Sequence, residues 1–282
     1  MGESTEPVVI TGALSYTGKY VTRLLLNRSL QIRTLTNHPE RGNPFGERVQ
    51  VFPYSFHDPD QLRRTLRGAS TLINTYWARF QHGASTFETA VQNTRTLITA
   101  AKDAGVRRIV HVSIANPSAE SPLGYYKGKA QLEQAVIDSS ISYSILRPTV
   151  IFGTEDILIN NIAWFVRRFL VFGIPGDGRY AIRPSYVEDM ARLIADAVAQ
   201  SGNSVLDAVG PETFAFEELV RLIAGRLGRS VRLVHLPTPC VCGDLGDRLG
   251  CRRRGSDLGG VPGTHGQSVG LRGCLDRTNA PE

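Results

Sequence analysis

The first 239 residues of this 282-residue chain contain no cysteine. That excludes a disulfide framework there and suits a reducing compartment. All four cysteines, Cys240, Cys242, Cys251 and Cys274, lie in the last 43 residues, at spacings of two, nine and 23. These are not the paired knuckles of a structural zinc site, and no metal is expected. Lysine is scarce too: it stands only at positions 19, 102, 127 and 129, so 28 of the 32 basic residues are arginine. The formal charge of +6 comes from scattered pairs such as Arg63-Arg64, Arg107-Arg108 and Arg167-Arg168. A block of cations interleaved with aromatics is missing, which argues against nucleic-acid binding. No long hydrophobic run opens the chain: MGESTEP is polar and acidic, and Val8–Ile10 is too short for a signal core or a membrane span. The expectation is a cytoplasmic protein.

What is present is a core-forming composition, 41% hydrophobic and 21% charged, over a length that suits one large domain with an appended lobe. Short β-like runs alternate with helix-period segments. Strands are expected at 8–11, 31–36, 49–53, 71–75, 108–113 and 143–146, with helices at 18–27, 58–67, 87–104 and 125–139 between them. In the 87–104 segment Ala90, Val91, Thr94, Leu97, Ile98 and Ala101 recur at spacings of three and four. Such alternation predicts an α/β fold, a Rossmann-type doubly wound parallel sheet with a smaller C-terminal substrate lobe. The expected division is a nucleotide-binding domain over 7–155, a lobe over 156–238 interleaved with it, and a tail over 239–282. To the lobe are assigned the apolar segment 157–172, a turn cluster GIPGDG at 173–178, helices at 187–199 and 216–227, and strands at 205–208 and 231–236. The tail has ten glycines and no aromatic, isoleucine or methionine in its last 43 residues. Weak order is expected of it, or an aberrant end such as a shifted reading frame produces.

TGALSYTG, residues 11–18, joins the first strand to the first helix. Unpaired N–H groups and the dipole at a helix start favour a pyrophosphate, and glycines let the backbone approach it. Gly12 and Gly18 keep the usual six-residue spacing, while Ser15 stands where a middle glycine is common. A serine fits there if its φ is negative, and its hydroxyl could itself donate to phosphate. With Tyr16 and Thr17 of the first turn these form the expected phosphate loop. At the end of the second strand an acidic residue would accept from ribose hydroxyls. Here stand Thr36, Asn37, His38 and, further on, Arg41. Arg33, His38 and Arg41 suit a 2′-phosphate, so NADP is preferred over NAD.

Further on, Ser113 ends a strand, and Tyr125 and Lys129 follow at i and i+4 of a helix, which puts phenol and ammonium on one face. A nearby cation favours phenolate, so Tyr125 can pass a proton near neutral pH. Ser113 is placed to hold a substrate oxygen, and Lys129 to bind the nicotinamide ribose as well. Trp77 and Phe80 follow the fourth strand at the edge where ligands bind in such sheets, as lining of a substrate pocket. The 159–173 segment, with Ile162, Trp164, Phe165, Phe169 and Phe172 around Arg167 and Arg168, reads as a core or lid helix. Its second reading is a surface for a membrane face, an apolar substrate or a partner subunit.

TGALSYTG, Asn93, VSI at 112–114, YYKGK at 125–129 and LRPTVIFG at 146–153 together resemble the extended or atypical short-chain dehydrogenase/reductase superfamily, of the NAD-dependent epimerase/dehydratase type. Within it the resemblance is to the branch that includes the nucleotide-binding accessory subunit of respiratory complex I, and it covers about residues 7–238. It implies that Tyr125 is the acid/base, Lys129 its partner and ribose ligand, Ser113 the carbonyl anchor and Asn93 a proton-relay support. It further implies that Thr75 and Tyr76 flank the cofactor, that Pro148 and Thr149 back the nicotinamide, and that Asp189 is structural. A homodimer through the helices after strands four and five follows from it too. Two functions are expected in turn: hydride transfer with a small carbonyl or alcohol substrate, or cofactor binding by an accessory or sensor protein whose site is unused. The short loop from Ser113 to Tyr125 speaks against a nucleotide sugar.

Overall fold

The computed structural model describes residues 6–78 and 86–237. The expectations for Phe80, the four cysteines and the 239–282 tail lie outside the described residues. The described chain divides into two compact units: residues 6–78 and 86–148 together with Met190–Ala208, and Thr149–Asp189 together with 209–237.

The first unit is built on a seven-stranded sheet from β1 (Val8–Thr11), β2 (Ile32–Thr36), β3 (Val49–Pro53), β4 (Thr71–Asn74), β5 (Arg108–Val112), β6 (Ser142–Leu146) and β11 (Ser204–Leu206). The order across the sheet is β11-β6-β5-β4-β1-β2-β3, and every pairing is parallel. The order in which strands are added therefore reverses between β1 and β4, and the crevice beyond their carboxyl ends is where such a sheet receives a ligand. Four helices of this unit are α1 (Tyr16–Asn27), α2 (Pro59–Leu66), α3 (Phe87–Asp103) and α4 (Gly124–Asp138). Two of these starts are capped by side chains. Asp58 accepts from Gln61 N–H ahead of Pro59, and Thr86 accepts from Thr89 N–H, satisfying donors that the helix itself cannot. Gly105, at φ +77°, lets the chain leave α3 where a side chain would be strained. Buried Val9, Leu72, Ile109 and Ile145 of the sheet pack with Leu62, Leu97, Ala101 and Val136 of the helices.

The second unit contains α5 (Leu158–Arg168), β8 (Val171–Pro175), α7 (Phe216–Arg226) and β13 (Arg232–Leu236), with short strands β7 (Ile151–Phe152), β9 (Ala181–Ile182), β10 (Ser185–Tyr186) and β12 (Phe214–Ala215). Strands β8 and β13 pair in parallel, and Ile159, Ile162, Val166, Ile174, Phe216, Leu219 and Ile223 form its core. The boundary falls inside α6 (Val187–Ala199).

Four expectations are corrected. The strand near Val205 belongs to the large sheet: as β11 it pairs with β6, because its backbone completes that sheet's edge. Most of the helix before it, from Met190, goes with the same unit. The 159–173 segment is not one helix, since α5 ends at Arg168 and β8 begins at Val171. Of the supposed turn cluster, Gly173–Pro175 is strand, and only the glycines at 176 and 178 have the positive φ of a turn.

Candidate functional site

The loop after β1 is folded around one carbonyl. Gly12 O accepts both the backbone N–H of Ser15 at 2.9 Å and its hydroxyl at 2.6 Å. Gly12 itself has φ +72°, and Ser15 has φ −80°, a conformation in which a side chain costs nothing. Ser15 is the N-cap residue of α1, and its hydroxyl donates back into the loop. Gly18 is required outright: a Cβ there would lie 1.9 Å from Gly12 O and 2.8 Å from Gly12 C. Thr34 of β2 fixes the loop's second residue by accepting from Ala13 N–H at 3.0 Å. What remains is a bare glycine surface beneath the first-turn N–H groups of Tyr16, Thr17 and Gly18, which fits a pyrophosphate.

Across the crevice, Thr11 Oγ1 accepts from the N–H groups of Thr75 at 2.6 Å and Tyr76 at 3.0 Å. The Thr75 hydroxyl donates to Thr11 O. These bonds clasp the ends of β1 and β4, so Thr75 and Tyr76 stand beside the loop. Asn93 on α3 donates to the Tyr76 hydroxyl at 2.9 Å, which places it against this wall.

Beyond β2, Thr36 Oγ1 accepts from His38 N–H at 3.2 Å, Asn37 is exposed, and His38 Nδ1 lies 3.3 Å from Glu40 Oε1. The hydrogen bond from His38 and the charge of Arg41 help hold the Glu40 carboxyl below its ordinary value, behind a backbone hydrogen bond of its own. Arg33 does not join them: its guanidinium donates to Thr65 O at 3.0 Å and Arg67 O at 2.8 Å, at the C-terminal end of α2. It is the second residue of β2. Of the three, only His38 and Arg41 stand in the loop after β2, His38 beside Glu40.

On α4, Tyr125 and Lys129 meet Trp77. The Lys129 ammonium lies 4.8 Å from the indole centroid, and the Tyr125 ring packs edge-on against it at 5.5 Å. Gly128 makes room: a Cβ there would lie 2.7 Å from the tip of Trp77. Lys129 is 3% exposed and donates to Val112 O at 2.9 Å. Burial pulls its pKa down to about 7, against the opposing pull of the Glu133 carboxylate. Behind it, His111 is fully buried and accepts or donates at Nδ1 with Asn74 at 3.1 Å, while its Nε2 has no hydrogen-bond partner among the described residues. Burial, with the charge of Lys129 adding to it, keeps His111 neutral, with a pKa of about 3.

Ser113 is committed elsewhere. Its hydroxyl donates to Glu133 Oε1, and Arg147 holds that carboxylate with Nε at 3.0 and 3.2 Å and Nη2 at 2.6 Å. Glu133 had no place in the sequence reading, although it stands four residues after Lys129, as Lys129 stands four after Tyr125. That continued spacing was the available signal. Pro148 O accepts from Ala115 N–H at 2.8 Å. Thr149 opens the second unit, where its hydroxyl donates to Arg183 O.

A doubly wound sheet whose switch point is closed by a glycine loop over a helix start defines a dinucleotide-binding protein. A family model described as NAD(P)H-binding matches residues 12–158. The chain belongs to that NAD(P)H-binding family. Among its relatives is the mitochondrial NADH dehydrogenase (ubiquinone) 1 alpha subcomplex subunit 9 of Arabidopsis thaliana, 27% identical over 241 residues, 82% of this chain and 60% of the relative. The protein of that name in Rattus norvegicus is 30% identical over 253 residues, 83% of this chain and 65% of the relative. The chain thus spans less than two thirds of the length of these relatives. Among solved structures, the dTDP-glucose 4,6-dehydratase DesIV of Streptomyces venezuelae, with NAD bound, superposes with a TM-score of 0.70 at 22% identity, over 96% of this chain and 97% of that one. That likeness concerns the fold.

Proposed function

We propose that this protein binds a nicotinamide dinucleotide as an accessory component of a larger assembly and that its site is not used for turnover. The observation that carries the reading is the Ser113–Glu133–Arg147 chain. A serine hydroxyl has one proton, and here it is given to a buried carboxylate that two guanidinium nitrogens hold in place. Ser113 therefore has no donor left for a substrate carbonyl oxygen, the interaction that charge development in hydride transfer requires. The relatives named as subunits of NADH dehydrogenase support the same reading, with a partner subunit in place of a substrate. NADP is preferred over NAD because Arg41 and His38 follow β2 where an acidic ribose acceptor is absent from the strand end.

The second reading is an oxidoreductase. The dinucleotide supplies or takes the hydride when bound, Tyr125 moves the proton, and Lys129 is the cation beside it. Their common contact with Trp77 on one face of α4 favours it. The two readings part in one experiment: titrate NADPH and NADH by fluorescence, then assay a panel of small carbonyl compounds with the wild type and Tyr125→Phe. Binding without Tyr125-dependent turnover is expected. Turnover that Tyr125→Phe abolishes overturns the accessory reading in favour of the enzyme, and failure to bind either dinucleotide overturns both.

A further inference from the structure

The second unit carries a surface that cofactor binding does not use. Trp164, Phe165 and Phe169 are each about half exposed, Val171 is similar, and Leu170 is 77% exposed. Phe165 and Phe169 lie 5.0 and 6.0 Å from Trp164, so the three rings form one ledge at the end of α5 and the turn into β8. The neighbouring turn, from α7 into β13, lies alongside, because β8 and β13 are parallel and Arg232 N–H donates to Leu170 O at 2.8 Å. Four exposed arginines mark these two turns: Arg167, Arg168, Arg229 and Arg232. Neither 157–176 nor 219–237 contains an aspartate or a glutamate.

Arginines at helix C-termini have an ordinary cause in the helix dipole. The dipole does not account for five large apolar side chains left in water between them. Nucleic acid would suit the charge, but it needs free ring faces for stacking. Here the rings pack on one another, and Arg168 covers Trp164 at 5.4 Å. Interfacial aromatics and a protruding leucine, bordered by cations with no acid among them, match the acyl-headgroup boundary of an anionic bilayer. We infer that this end of the second unit, Trp164 to Val171 with the arginines of both turns, docks on an anionic lipid surface. The protein lies on the membrane there: no helix among the described residues is long and apolar enough to cross one.

The test is co-sedimentation of the full chain with vesicles of phosphatidylcholine alone and of phosphatidylcholine mixed with phosphatidylglycerol. Binding is expected to the mixed vesicles, to weaken as salt is raised, and to be weak on phosphatidylcholine. Each arginine removed should weaken it about fivefold, the factor equivalent to about 1 kcal/mol per basic residue at such a surface. Arg167→Ala combined with Arg168→Ala should therefore lose roughly 25-fold, and Leu170→Asp should abolish binding. All three side chains are exposed, so an unchanged thermal midpoint verifies the fold without reference to the dinucleotide. The inference is overturned if neither vesicle binds, or if both bind equally and the arginine variants bind as the wild type does. A patch that instead buries itself in a concentration-dependent dimer, with no vesicle binding, also overturns it.

Discussion

Replacing Gly18 by alanine should break the nucleotide loop. The added Cβ would lie 1.9 Å from Gly12 O and 2.8 Å from Gly12 C, backbone atoms that no side-chain rotation can move aside. Relief requires the Gly12 peptide to turn away, and that peptide oxygen accepts two hydrogen bonds, from Ser15 N–H and from its hydroxyl. Losing both costs roughly 2 kcal/mol at about 1 kcal/mol each, and overpacking adds about 1–3 kcal/mol. The total is about 3–5 kcal/mol, large against a domain stability of about 5–15 kcal/mol. In urea denaturation this should appear as a lower midpoint, and in an NADPH titration as loss of binding, because the first-turn N–H groups no longer converge. Ser15→Ala removes only the hydroxyl bond and should cost about 1 kcal/mol while retaining the dinucleotide. If Gly18→Ala unfolds at the wild-type midpoint and binds NADPH equally well, the reasoning about this loop is wrong.

Other outcomes follow from the buried groups. Arg147→Met leaves the Glu133 carboxylate, whose side chain is 7% exposed, without its cation, and should cost about 3–5 kcal/mol. Glu133→Gln should cost less, since the Arg147 side chain is 31% exposed and can turn to water; the opposite order in denaturant would contradict the assignment. Lys129 titrates at about 7 when folded against 10.5 ordinarily, so across that window the unfolded chain holds the extra proton and stability should rise with pH. Lys129→Met should flatten the rise, and identical pH profiles would refute the burial argument. Arg41→Ala should weaken NADPH roughly tenfold or more, as loss of a charged hydrogen bond does, and leave NADH nearly unchanged; equal losses would remove Arg41 from cofactor choice.

The large sheet was legible because each strand–helix repeat carries its own period. The buried stripe of α3, with Ala90, Thr94, Leu97 and Ala101, is plain in the sequence, and α3 begins at the expected residue. Strands of two residues, such as β7 and β12, have no period to read and exist only through tertiary pairing. Nor does local pattern say which sheet a strand joins, which is why Val205 was assigned to the wrong unit. At the candidate site the residue types were legible and the partners were not. Arg33 is the second residue of β2 and reaches the C-terminal end of α2, a matter of strand position that cation counting ignores. Ser113 was visible as a strand-end hydroxyl, but its use depends on Glu133 and Arg147, which the fold brings from 20 and 34 residues away.

Dinucleotide binding at the glycine loop is the claim on which the rest stands, and equilibrium titration of the purified chain with NADPH and NADH addresses it. Saturable binding of both is expected, tighter for NADPH, lost in Gly18→Ala and kept in Tyr125→Phe. Absence of saturable binding in the wild type, or binding that Gly18→Ala leaves intact, would contradict it.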